Sequence, residues 1–191
     1  MLTRRALLAA GLALPLPLHR AAIGQALYRF DERDGRMDFT ARHFGVLSST
    51  GRFERFRAEL TIDPARPLTS RVRVEVATAA VSLPFPGAED LLRSADFLDS
   101  ATHPLARFEG AATGEGDERR FALAGQLTLR GVTRPQRMEA RLVGRRRDAT
   151  GREVADFAAN GELSRSAFGM VAERFVIGDM IGLSVRVSLL V

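Results

Sequence analysis

Few side chains of this sequence have the chemistry of a catalytic or metal site. Downstream of residue 26 the histidines are His43 and His103, and the chain contains no cysteine. Zinc and iron sites need several converging ligands, and no two candidate ligands lie at a ligand spacing on one element. Without cysteine, disulfides and thiolate chemistry are excluded. The sequence therefore predicts no catalytic residue, no metal site and no cofactor.

Hydroxyl and guanidinium groups are concentrated at two points. Residues 48–50 (Ser-Ser-Thr) precede Gly51 without a neighbouring base or nucleophile elbow, which is typical of a turn. Residues 164–166 (Ser-Arg-Ser) could donate hydrogen bonds to a phosphate, with Arg165 as the charged donor. The same tripeptide, close to two glycines, could instead form a bend between strands, and we favour the bend.

The N-terminal segment predicts export. Arg4 and Arg5 precede an apolar run over residues 6–18, which is interrupted by prolines and shorter than the roughly 20 residues that span a bilayer. Residues 24–26 (Gly-Gln-Ala) suit a signal peptidase, so we expect a twin-arginine signal peptide over 1–26 and a periplasmic mature chain that begins at Leu27 and has no stable membrane anchor. An amphipathic or buried N-terminal helix is the alternative.

Export by this route can be tested at the paired arginines. Changing Arg4 and Arg5 together to lysine is expected to block appearance of the protein in the periplasm, because the route reads the arginine pair. N-terminal sequencing of the exported wild-type protein should begin at Leu27. Unchanged export of the variant would indicate the general secretory route instead.

The basic charge of the chain is modest once this segment is removed. Loss of residues 1–26 takes away three arginines and no acid, so the formal net charge falls from +5 to +2. The pI of about 11.1 reflects the absence of lysine and cysteine, because arginine does not titrate below about pH 12. We therefore expect no nucleic-acid partner. The arginine run at 145–147, followed by Asp148, predicts a solvated hairpin tip.

The mature chain is dominated by period-two alternation, which predicts strands with one wet face. Antiparallel strands with two long open edges risk aggregation, so we predict an all-β antiparallel barrel of about eight strands, with a two-sheet sandwich as the alternative. One helix is predicted over residues 88–99, covering a mouth of the barrel. The alternating segments lie near residues 36–43, 55–62, 71–76, 106–109, 121–129, 136–143, 154–164 and 181–189.

Four groups of motifs follow one another along the chain. They are Arg-His-Phe-Gly at 42–45 with Gly-Arg-Phe at 51–53, Ser-Ala-Asp-Phe-Leu-Asp at 94–99 with His-Pro-Leu-Ala-Arg-Phe at 103–108, Gly-Gln-Leu-Thr-Leu-Arg-Gly-Val-Thr-Arg at 125–134, and Ser-Arg-Ser-Ala-Phe-Gly-Met at 164–170 closed by Ile-Gly-Asp at 177–179. In order and spacing they resemble those of the YceI-like family of exported bacterial proteins. The resemblance covers nearly all of residues 27–191. It implies one lipocalin-like domain that binds an isoprenoid lipid such as a polyprenyl phosphate or a quinone.

An apolar tube can hold such a lipid with few polar contacts, because each buried methylene contributes roughly 0.8 kcal/mol. The alternative is that the inward side chains simply fill the barrel. The predicted ligand-binding residues are Phe39, Phe56, Val74, Val76, Phe108, Leu127, Leu129, Arg165, Phe168, Met170, Leu183 and Val185.

Two histidines typical of the family are missing. Gly35-Arg36 stands where relatives carry a His-Ser pair, and Glu89-Asp90-Leu91-Leu92 stands where they carry Arg-Asp-x-His-Leu. If those histidines touch a head group in relatives, this protein recognises a different head group or none.

Two functions follow as hypotheses. The first is a periplasmic carrier or sequestering protein for an isoprenoid lipid, without chemistry of its own. The second is a structural or stress-related periplasmic protein with a filled barrel that binds a protein partner. A homodimer is compatible with both.

Overall fold

The structure, a computed structural model, describes residues 26–62, 67–117 and 119–190. The predicted export signal lies outside these ranges, apart from Ala26. Within them, no helix is long and apolar enough to cross a membrane.

The described chain forms eleven strands, one short helix and two 3₁₀ turns. All eleven strands join one antiparallel sheet in the order β1-β4-β5-β7-β8-β9-β10-β11-β2-β3-β6. The strands are β1 (Ala26–Asp31), β2 (Gly35–His43), β3 (Leu47–Phe53), β4 (Phe56–Ile62), β5 (Arg71–Ala77), β6 (Val81–Ser82), β7 (Leu105–Gly116), β8 (Arg120–Leu129), β9 (Val132–Arg147), β10 (Glu153–Ser164) and β11 (Ile177–Leu190). The helix is α1 (Ala88–Arg93), and the 3₁₀ turns are Pro67–Thr69 and Ser166–Phe168.

Alternation of apolar and charged residues gives each strand an inner and an outer face. In β5 the valines are partly or fully buried, while the charged residues between them form ion pairs across the outer face. Glu75 accepts hydrogen bonds from Arg107 at 3.0 Å and from Arg57 at 2.7 Å, and these bonds hold the pKa of Glu75 below its ordinary value. Each exposed pair stabilises the fold by only about 0–1 kcal/mol, so the buried face provides most of the stability.

The sheet curls into a barrel through one long, bent strand. In the sheet order, β3 and β4 are separated by eight antiparallel steps, and because this number is even the two strands run in the same direction. In the chain they are consecutive, with only Glu54 and Arg55 between them, so together they form the bent strand. β3 pairs with β2, and β4 pairs with β5 and β1. The backbone N–H of Glu54 donates to Ala80 O at 2.7 Å, and that of Ala77 donates to Arg55 O at 3.0 Å. These bonds join the two sides of the sheet.

The prediction of an all-β antiparallel barrel is confirmed, and the strand number of about eight is too low. The additional strands are β1, β3 and β6. β3 carries polar residues on both faces around Gly51, so it lacks the apolar alternation that marks the others, and β6 has only two residues. A sandwich of two separate sheets is excluded because every strand belongs to one sheet.

The predicted helix over 88–99 is shorter than expected, since α1 ends at Arg93. Ser94 is extended with ψ of 166°, and its hydroxyl donates to Leu91 O at 2.7 Å. A serine that bonds a nearby carbonyl in this way offers the backbone an alternative to helix, so residues beyond it form turns.

The predicted hairpin tip at the arginine run is confirmed. β9 ends at Arg147 and β10 begins at Glu153, and Asp148 N donates to Arg152 O at 2.9 Å within the turn. Arg145 pairs with Glu153 at 2.7 Å and Arg146 with Asp156 at 3.1 Å. Two of the three arginines therefore neutralise acids of their own hairpin.

Candidate functional site

The barrel encloses a cavity of about 730 Å³. This volume lies within the usual range of small-molecule sites, roughly 300–1,000 Å³. Its wall in the described part of the chain is almost entirely apolar: the polar residues that border it are His43, Ser48, Ser49, Arg107, Gln136 and Arg165. Of these, Arg107 pairs through its side chain with Glu75 on the outer face. The interior at this level is therefore open space and not a closely packed core.

Facing positions of β2 and β11 form one wall. Met37, Phe39 and Ala41 pair with Val185, Leu183 and Ile181, respectively, and all six side chains border the cavity. Because they occupy alternate positions, the intervening polar residues face away.

Glycines let two aromatic rings lie flat along the inner face of the sheet. Gly51 is the cross-strand partner of Phe39, and a Cβ there would lie 2.3 Å from the Phe39 Cζ. A Cβ on Gly110 would lie 2.6 Å from the Phe108 Cζ. Any larger residue at these positions would push the ring into the cavity, so these glycines help to keep the tube open.

Ten of the twelve predicted ligand-binding residues border the cavity. They are Phe39, Val74, Val76, Phe108, Leu127, Leu129, Arg165, Met170, Leu183 and Val185. Phe56 and Phe168 do not belong to this wall. Both are buried in the main hydrophobic cluster, packed with residues such as Phe30 and Val81. A side chain that points into the barrel can be covered by neighbouring side chains instead of facing the cavity. That the ten residues touch a ligand stays a prediction.

One mouth of the cavity is formed by residues of loops, of α1 and of the start of β3 that alternation does not identify. Phe44 comes from the turn between β2 and β3 and Leu47 from the first position of β3, and Leu83, Phe85 and Leu91 come from the segment between β6 and β7. The helix α1, which contains Leu91, contributes to this end as predicted. The only signal for this mouth in the sequence is the number of apolar residues around Pro84 and Pro86 and in α1.

His43 is a polar residue on the cavity wall for which the sequence predicted no role. Its Nε2 lies 2.7 Å from the Ser49 Oγ, across the β2–β3 pair, and both residues border the cavity. His43 shares the inward parity of Phe39, which is the signal that could have identified it. His103 lies elsewhere, in the turn before β7, where its carbonyl accepts a hydrogen bond from the buried Thr78 hydroxyl at 2.7 Å.

Arg165 is buried, with 3% of its surface exposed, and its guanidinium bonds to backbone carbonyls. Nε donates to Gly178 O at 3.1 Å, Nη1 to Met170 O at 2.7 Å and to Ala172 O at 2.8 Å, and Nη2 to Ile177 O at 2.8 Å. These bonds occupy four of its five N–H groups and hold the loop between β10 and β11. The contacts are those expected of the bend interpretation.

Asp179 completes this bend from the other side. Its carboxylate accepts hydrogen bonds from the Ser164 hydroxyl at 2.6 Å and from the Ser166 N–H at 2.9 Å. These bonds, led by that from Ser164, lower the pKa of Asp179, and the charge of Arg165 acts in the same direction. Both serines of the Ser-Arg-Ser tripeptide are thus engaged with a carboxylate of the protein.

The arrangement is suited to binding an apolar molecule. A long apolar surface, a few polar groups at one mouth and a guanidinium in the wall can hold a slender apolar molecule.

Comparison with known proteins agrees with this geometry. The model of the YceI-like domain matches residues 28–191. Protein YceI of Escherichia coli O157:H7 is 34% identical over 135 residues, which cover 70% of each chain.

Two solved structures share the fold. The crystal structure of Burkholderia cenocepacia BcnA superimposes with a TM-score of 0.72 at 18% identity, over 83% of this chain and 98% of that one. A polyisoprenoid binding domain from Saccharophagus degradans, implicated in plant cell wall breakdown, gives a TM-score of 0.56 at 10% identity, over 87% of this chain and 99% of that one. The four sequence motifs, the curled antiparallel sheet and these matches lead to one conclusion: the chain belongs to the YceI-like family.

Proposed function

We propose that this protein binds the tail of a polyisoprenoid lipid, a polyprenyl phosphate or a quinone, inside the barrel and carries or sequesters it without chemical change. The observation that carries the proposal is the cavity of about 730 Å³ with its nearly continuous apolar wall. A relative of the same fold described as a polyisoprenoid binding domain supports this ligand class.

The energetics favour a long apolar tail. Each methylene-sized unit that leaves water contributes roughly 0.8 kcal/mol, so a tail of several isoprene units binds without strong polar contacts. Aromatic rings at Phe39 and Phe108 offer flat surfaces along the tube, which suit a branched, unsaturated chain.

The place of action that we propose is the periplasm. The support is the N-terminal pattern of paired arginines, apolar run and small residues before Leu27. Polyisoprenoids are insoluble in water, so a protein that moves one between membranes must shield its tail.

The proposal is tested by extracting the purified protein with organic solvent and identifying the extract by mass spectrometry. We expect polyprenyl species in amounts close to one per protein molecule. Ala41→Trp, which places a large ring on the cavity wall, is the matched variant and should carry far less lipid. An extract without isoprenoids from a correctly folded, exported wild-type protein would contradict the proposal and favour the protein-partner alternative.

A further inference from the structure

Exposed apolar side chains are concentrated at the mouth of the cavity. We define the apolar rim as Phe44, Val46, Leu47, Phe85, Leu91 and Phe175. They are 48–84% exposed, with Phe175 at 84% and Val46 at 83%. Soluble proteins rarely expose large apolar side chains in such a cluster without a binding role.

The topology places these six residues at one end of the barrel. Phe44 and Val46 lie in the turn between β2 and β3, and the Phe44 N–H donates to Val176 O at 2.9 Å, which sets the turn beside the loop that carries Phe175. β6 is antiparallel to the far end of β3, so the chain after Ser82 runs back along β3 toward Leu47. Phe85 follows on this return path, and Leu91 shares the same cavity wall.

The rim is continuous with the inside of the barrel. Four of its members, Phe44, Leu47, Phe85 and Leu91, are both exposed and part of the cavity wall. A tail that leaves the cavity here would pass from one apolar surface onto another, with His43 and Ser49 as polar groups at the same mouth.

Two arginines flank the rim without a carboxylate partner among the described residues. Arg42 precedes the β2–β3 turn, and the Arg174 guanidinium lies 4.8 Å from the centre of the Phe175 ring. Many arginines on the barrel wall, such as Arg73 and Arg107, are paired with glutamates instead. Residues 42–46 and 171–176 contain these two arginines and one acid, Glu173, so this side of the rim carries a net positive charge. The α1 side carries Glu89 and Asp90, both paired with Arg93, so the positive charge is confined to the β2–β3 and β10–β11 side.

We propose that the apolar rim docks onto a bilayer that contains anionic lipids, so that a polyisoprenoid tail enters or leaves the cavity directly from the membrane. This inference rests on the proposed function, because an isoprenoid ligand resides in a bilayer before it is bound. Apolar loop tips beside cationic side chains suit the boundary between head groups and acyl chains. Docking of this size is reversible and needs no membrane-spanning segment.

The test is flotation of the full mature protein with vesicles of phosphatidylethanolamine and phosphatidylglycerol, about three to one, and with neutral phosphatidylcholine vesicles. Val46→Ser combined with Phe175→Ser should lower vesicle binding about tenfold or more, because two exposed apolar anchors are lost. Neither side chain lines the cavity, so uptake of a detergent-solubilised polyprenyl phosphate should remain as in the wild type.

The matched control carries the same kind of change elsewhere. Val143→Ser combined with Leu190→Ser alters two exposed apolar residues of β9 and β11, away from the rim, and should leave vesicle binding unchanged. Arg42→Gln combined with Arg174→Gln should weaken binding to the anionic vesicles several-fold and leave binding to the neutral ones almost unaltered.

Failure of docking and failure of the proposed function give different results. A wild-type protein that takes up solubilised lipid but does not float with anionic vesicles overturns the docking. Vesicle binding without uptake of solubilised isoprenoid overturns the proposed function and leaves the docking surface in place. If sedimentation shows that the wild type is a dimer and that Val46→Ser with Phe175→Ser makes it a monomer, the rim is an interface between two copies and the proposal fails.

Discussion

Phe108→Arg is expected to abolish binding of the isoprenoid tail. Phe108 lies in the first half of β7, borders the cavity and packs against both hydrophobic clusters of the barrel. A guanidinium there would have to lose its hydration when the tail enters, at an effective cost of several kcal/mol. Because each 1.4 kcal/mol is a factor of ten in affinity, we expect a loss of about a hundredfold or more, measured by titration with a polyprenyl phosphate.

The control for this variant is Glu109→Ala. Glu109 follows Phe108 on the outer face, where it pairs with Arg73 at 3.0 Å, and its loss should leave binding unchanged. Arg107 is a less clean control, since it also borders the cavity. A folded Phe108→Arg protein that keeps full affinity would show that the tail lies elsewhere. Should Phe108→Arg fail to fold, the uncharged Leu183→Trp tests the opposite wall by reducing the cavity volume.

Arg165→Met is expected to lower the free energy of unfolding by about 3 kcal/mol or more. The change removes four hydrogen bonds to backbone carbonyls, in a position where the side chain is buried. Each buried acceptor left unsatisfied costs about 1–3 kcal/mol, and partial hydration of the loop reduces the sum. Urea unfolding monitored by circular dichroism measures the effect.

Arg134→Met is the matched control, because Arg134 is exposed and makes a single long bond, 3.4 Å, to Ala167 O. Its stability should change by less than about 0.5 kcal/mol. Equal stabilities of the two variants would contradict the structural role of Arg165.

Substitutions of Arg165 also test whether the protein recognises a charged head group of the ligand. Lysine keeps the charge but cannot reproduce the planar set of donors, so Arg165→Lys should be nearly as unstable as Arg165→Met. We expect its affinities for a polyprenyl phosphate and a quinone to fall by similar factors. If the lysine variant retains phosphate binding and Arg165→Gln loses it by about 1.5–3 kcal/mol while quinone binding persists, Arg165 binds the head group through its remaining N–H.

Alternation was sufficient to identify eight strand residues of the cavity wall, namely Phe39, Val74, Val76, Phe108, Leu127, Leu129, Leu183 and Val185. Val74, Val76, Leu183 and Val185 each stand at every second position of a strand whose other face is charged or small and polar. An inward position is a property of the pleat and depends only on neighbouring residues. Whether that position borders open space depends on side chains distant in sequence. Phe56 illustrates the difference, since it is inward but covered in the main cluster.

The sequence by itself determined the antiparallel barrel, the inner face of each long strand and the family, because period-two patterning and the ordered motifs act over a few residues at a time. The tertiary structure alone decided three features. These are the bent strand through Glu54 and Arg55 that closes the sheet, the turn of Arg165 toward four carbonyls, and the gathering of Phe44, Phe85 and Phe175 at one mouth. Each of them depends on segments far apart in the chain that meet only when the sheet curls, so no local pattern could reveal it.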